Sequence, residues 1–134
     1  MKRILMSCLI ASFTVLAGTG CQHSKASLLP VHDEVLVYPL PFDLVYLKTL
    51  EAVDTHPDWE LDYTVKEEGI IGIHNQRYSS WADADLRSAK LVVKRLGHHK
   101  SSVEFAPDSQ AIVGGDDVLK LVKQSLSSEV AKRQ

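Results

Sequence analysis

Between Pro41 and Val65 two hydrophobic periods run back to back, with Pro57 dividing them. Phe42, Tyr46, Leu50 and Val53 recur at helical spacing, and Val45 and Thr49 widen the stripe, while Lys48, Glu51 and Asp54 fall away from it. Pro41 suits a first helical position, and Asp43 places a negative charge in the positive first turn. Pro57 biases His56 out of the helical region, so the helix should end near Asp54 or Thr55. Beyond it, Trp59, Leu61, Tyr63 and Val65 alternate with Glu60, Asp62, Thr64 and Lys66, the two-residue period of a strand with one buried and one wet face. A helical stripe meeting an apolar strand face predicts a two-layer core, with Leu50 almost fully buried between the layers.

The remaining segments extend that core. Val35–Tyr38 is a β-rich run closed by Pro39 and Pro41, which predicts a first or edge strand. Lys66-Glu67-Glu68-Gly69 is a charged turn in which Gly69 supplies the positive φ of a tight hairpin. A strand opens at Ile70 and runs towards Tyr78, and a polar loop around Trp81 leads to a longer strand over Ser88–Leu96. Gly97–Lys100 forms a turn, and Ser102–Phe105 is its partner strand, stopped by Pro107. After Gly114-Gly115, Asp116 or Asp117 should cap a helix whose Leu119, Val122, Leu126 and Val130 share one face. The predicted order is β-α-β-β-β-β-α: an α+β two-layer sandwich, an antiparallel meander sheet with two helices on one face.

Upstream of this domain the chain has a different character. Lys2 and Arg3 precede the apolar run Ile4–Leu16, followed by Ala17-Gly18-Thr19-Gly20 and Cys21. That is a secretory signal, too short for a membrane span of about 20 apolar residues. The Thr19-Gly20-Cys21 exit resembles the lipobox of bacterial lipoproteins, whose cysteine is lipidated and becomes the new N-terminus. The lipobox prefers Leu three residues before the cysteine, where this chain has Gly18, and ordinary cleavage after Ala17 is the rival exit. Cysteine usage favours lipidation. Cys8 leaves with the signal, so Cys21 would otherwise be a lone free thiol in an oxidising compartment. The chain thus divides into a lipoprotein signal over 1–20, a lipidated Cys21 and tether over 21–33, and one α+β domain over 34–134. Such lipoproteins with a residue other than Asp after the cysteine go to the outer membrane, and Gln22 fits that address, facing the periplasm.

A Pro-aromatic-Asp helix start at Pro41, a Trp-x-Leu-x-Tyr strand at Trp59, the Lys66–Ile70 turn, a meander and a final helix resemble small envelope lipoproteins with a helix-grip domain. The lipoprotein component of the outer-membrane β-barrel assembly machinery carries such domains. The resemblance implies a lipid-anchored, non-catalytic interaction or assembly module and transfers no catalytic residues.

Charge and site chemistry agree with that expectation. Loss of Lys2 and Arg3 leaves 13 basic residues against 17 acidic ones, near −4, which argues against nucleic acid as a partner. The expected partners are the membrane, through the anchor, and other envelope proteins. His98-His99 sits on a turn without zinc-like spacing, and Asp83-Ala84-Asp85 lacks the alternating ligands of a calcium loop, so no metal or cofactor is expected. Gly114-Gly115 lacks the residues of a phosphate-binding loop, and no nucleophile setting is recognisable. Tyr78 and Trp81, in or beside a loop, are the candidate surface-binding aromatics. A second reading is an exported small-ligand-binding domain with a cavity lined by Tyr46, Trp59 or Tyr63, and a remote third is an envelope hydrolase.

Overall fold

The computed structural model describes residues 29–77 and 87–134. Cys21, Tyr78 and Trp81 lie outside the described residues, as do His23, Asp83 and Asp85. Five strands and two helices follow one another as β1 (Leu36–Tyr38), α1 (Phe42–Asp54), β2 (Trp59–Val65), β3 (Ile70–Asn75), β4 (Ser88–Gly97), β5 (Lys100–Phe105) and α2 (Gly115–Ala131). The strands form one sheet in the order β1-β5-β4-β3-β2, antiparallel at every pairing. The expected α+β architecture is therefore present. Because β1 and β2 occupy opposite edges, α1 has to cross the sheet between them, and α2 lies beside α1 in the same layer.

Strand alternation puts Ile71, Ile73, Leu91, Val93, Val103 and Phe105 on the helix-facing side, all buried. Val45 and Val53 of α1 meet them, joined by Val118, Val122 and Leu126 of α2. Each such side chain stabilises the fold by about 1.5–3 kcal/mol relative to exposure. Two buried hydroxyls are satisfied by backbone carbonyls: Thr49 Oγ1 donates to that of Val45 at 2.8 Å, and Ser101 Oγ to that of Leu40 at 3.0 Å.

Two sequence expectations shift in the folded chain. The buried face of α1 is centred on Val45, Thr49, Ala52 and Val53, and Leu50 is only partly buried. Leu50 stands about 100° around the helix from Thr49, at the margin of a stripe of that width. The second shift is in β2. Trp59 pairs with Asn75 and Leu61 with Ile73, but Tyr63 pairs with Gly72, so Asp62 is an extra residue, a β-bulge. Beyond the bulge the alternation reverses. Tyr63 and Val65 leave the helix-facing side on which simple alternation places them, and Tyr63 ends 48% exposed.

The turn after β2 behaves as expected. Gly69 has φ +71°, and a Cβ there would lie 2.0 Å from the Val93 carbonyl oxygen. At α2 the start differs slightly: Gly114 is the N-cap, so Asp116 and Asp117 lie inside the first turn and make no side-chain cap. The chain is already docked before β1. Val31 bridges to Ala111, the His32 amide donates to the Gln110 carbonyl, and the buried His32 ring places Nε2 3.1 Å from the Ile112 carbonyl. Among the described residues no helix is long and apolar enough to cross a membrane.

Candidate functional site on the open face of the sheet

Helices cover one side of the sheet. The other side carries Ile70, Gly72 and His74 from β3, Lys90, Val92 and Lys94 from β4, and Ser102 and Glu104 from β5. Polar members pair across strands, as Lys94 does with Glu104. Val65, Ile70 and Val92 form a partly buried apolar row, and Tyr63 lies beside it.

Tyr63 holds its place because Gly72 has no side chain. A Cβ on Gly72 would fall 2.2 Å from Tyr63 Cε1, 2.5 Å from Cδ1 and 2.7 Å from Cζ. The phenol therefore lies directly over the glycine, and its other side faces solvent. Lys90 stands opposite Gly72 on β4, lining the same cleft as the phenol, and its Nζ reaches Asp108 Oδ2 at 2.5 Å. That hydrogen bond lifts the Lys90 ammonium above its ordinary pKa and holds the Asp108 carboxyl below its own. Asp62, Tyr63, Ser88, Lys90 and Asp108 line an open cleft of about 440 Å³. An adjoining cleft of about 260 Å³ shares Asp62 and Ser88 and continues to His74 and Arg87.

His74 sits between two carboxylates. Its Nδ1 is 2.5 Å from Asp62 Oδ1, and its Nε2 is 3.4 Å from Glu60 Oε2; Gln76 hydrogen-bonds the same Glu60 carboxylate. Ser88 is the cross-strand neighbour of His74, so Ser, His and Asp meet in one region. An acyl-transfer triad needs Nε2 on the hydroxyl. Here Nε2 points to Glu60 on β2, the side away from Ser88 on β4, so the arrangement has no base aimed at a nucleophile. The carboxylates flank the ring instead of converging with it, and among the described residues no group of three or more His, Cys, Asp or Glu side chains is placed to hold a metal ion.

Of the residues singled out from sequence, Tyr46 and Trp59 are each 4% exposed and belong to the core; neither lines a cleft on the open face. His98 and His99 are exposed on the β4–β5 turn. Tyr63 was expected inside and lies outside. The readable signal was Gly72, a strand-interior glycine whose missing side chain leaves space for a neighbour. No protein-family model matches this chain, and no curated protein matches it in sequence.

Proposed function

We propose that the chain is an exported lipoprotein, anchored through Cys21 in the outer membrane facing the periplasm, and that its domain is a non-catalytic interaction module working through the open face of the sheet. The observation that carries the reading is Tyr63, turned out of the core by the Asp62 bulge and laid on Gly72. Bulges commonly re-aim a side chain at functional sites, and an aromatic held half-exposed is a ready contact residue. The signal-like start, Cys21 as the one cysteine left after its removal, and the sequence resemblance to helix-grip lipoproteins support the envelope address. Acyl chains at about 0.8 kcal/mol per buried methylene would anchor the protein without help from the domain.

Labelling cells with a palmitate analogue tests the anchor: wild type takes up label and Cys21→Ala does not, and an unlabelled wild type refutes it. Crosslinked pull-down from envelope membranes tests the surface. Tyr63→Ala should lose what wild type captures, while Lys120→Ala on exposed α2 should keep it; equal capture by all three places the interaction elsewhere. The second reading, a ligand-binding domain, finds its support in the cleft beside Tyr63 and not in the interior, where Tyr46 and Trp59 occupy the core.

A further inference from the structure

We infer that the Tyr63 cleft binds a neutral saccharide, one sugar ring stacking on the solvent side of the phenol while its hydroxyls hydrogen-bond to Asp62, Ser88, Lys90 and Asp108. The inference deepens the interaction-module reading and rests on it, because it names the ligand of the same face.

A pyranose has an apolar C–H face and a rim of hydroxyls that both donate and accept hydrogen bonds. Its receptor needs a flat aromatic surface with donors and acceptors around the perimeter. Tyr63 supplies the surface, seated on Gly72. Around it stand carboxylate acceptors on Asp62 and Asp108, an ammonium donor on Lys90, and the Ser88 hydroxyl, which does both. These groups are already held: Asp62 by His74 at 2.5 Å, and Lys90 and Asp108 by each other at 2.5 Å. A rim held before the ligand arrives lowers the entropy cost of binding.

The charge of the rim selects against other ligands. Within this cleft Asp62 and Asp108, with Glu60 nearby, outweigh the one ammonium, which Asp108 already matches, and so disfavour phosphate or carboxylate ligands; the Arg87 guanidinium belongs to the adjoining cleft. A cation would meet Lys90. A purely apolar ligand would find one aromatic ring in an open cleft as polar as it is apolar, without the enclosing apolar walls such ligands require. A neutral polyhydroxylated ring satisfies every group present. The adjoining cleft towards His74 shares Asp62 and Ser88, which suits an oligosaccharide running past the phenol more than a single free sugar.

The test titrates the full-length protein, labelled with ¹⁵N, with N-acetylglucosamine tetramer and with cellotetraose at millimolar concentrations, using heparin as a polyanionic control. The expected result is saturable shifts at Tyr63, Gly72, Ser88 and Lys90 with at least one neutral tetramer and none at these residues with heparin. Tyr63→Ala should bind at least about tenfold more weakly, while Tyr63→Phe, which keeps the ring, stays within about threefold of wild type. Gly72→Ala, whose Cβ displaces the phenol, should weaken binding as Tyr63→Ala does; its own spectrum reports whether the fold is intact. No shift with either tetramer, shifts away from these residues, or binding unaffected in a folded Tyr63→Ala overturns the inference. If neither tetramer binds but Tyr63→Ala still loses its captured partner from envelope membranes, the saccharide fails and the interaction module stands. If neither tetramer binds and capture is unchanged, both fail.

Discussion

The two faces of the sheet are built from the same strands and have opposite chemistry. On the helix side, β3, β4 and β5 contribute Ile71, Ile73, Leu91, Val93, Val103 and Phe105, all buried. One residue away on each strand, the open side shows Gly72, His74, Lys90, Lys94, Ser102 and Glu104. Alternation alone accounts for this on β3, on β5 and on β4 as far as Lys94, short of a second register shift between Arg95 and Gly97 where β4 pairs with β5 only. On β2 it does not, because the strand serves the core with Trp59 and Leu61 and then, after one extra residue, serves the open face with Tyr63. An edge strand has a single neighbour to keep in register, so it can absorb that extra residue where a central strand could not without disturbing two. The bulge also roughens the free edge, which discourages pairing with another chain.

The covered side carries most of the stability. Phe105→Ala removes a fully buried ring and should cost about 3–5 kcal/mol in denaturant unfolding, out of a total of about 5–15 kcal/mol for a domain of this kind. Val92→Ala, one strand over on the open side, removes a partly buried side chain and should cost about 1 kcal/mol or less. Should the two variants lose similar stability, the two faces contribute alike to the fold.

The glycines sharpen the contrast. Gly69→Ala forces a Cβ into φ +71° and against the Val93 carbonyl oxygen, a rigid backbone atom, and should cost about 1–3 kcal/mol in thermal unfolding. Gly72→Ala meets a Tyr63 ring that can swing away, so its cost should stay within about 1 kcal/mol while the phenol leaves its place. A Gly72→Ala variant as unstable as Gly69→Ala would mean the ring is locked by contacts beyond the glycine.

Much of the fold was legible because it depends on local signals. The Pro57 stop, the Gly69 turn, and the periods of α1 and α2 all sit within a few residues of the structure they specify. The sequence does not place Leu50, because a helix stripe has width but no marked centre; neighbours decide which residues face inward, and α1 has both a sheet and α2 beside it. The outward turn of Tyr63 is hidden for a different reason. A bulge is a property of pairing, and Leu61, Asp62 and Tyr63 look identical in sequence whether or not β3 offers a partner for each. The buried His32 was likewise invisible, since its partner at Ile112 lies 80 residues away.

The smallest expected effect concerns the Lys90–Asp108 pair on the cleft rim. The folded pKa of Asp108 is depressed, first by the Lys90 hydrogen bond, so its contribution to stability is present above the ordinary carboxyl value of 3.8 and is lost as pH falls through the folded value. The pair is exposed, so the effect is slight. Asp108→Asn should melt marginally below wild type at neutral pH and together with it near pH 2, by roughly the size expected of surface pairs. A gap that widens in acid would contradict the assignment.

The Asp62 bulge turns Tyr63 out of the core while Tyr46 and Trp59 remain inside. Solvent paramagnetic relaxation measures that directly, by adding a soluble, uncharged gadolinium chelate and following the aromatic ring protons. Tyr63 should relax strongly, Tyr46 and Trp59 should be protected, and the Gly72 amide, on the strand beneath the phenol, should gain relaxation in Tyr63→Ala. A Tyr63 ring as protected as that of Tyr46 would put the phenol in the core, remove the bulge, and leave the open face without its site.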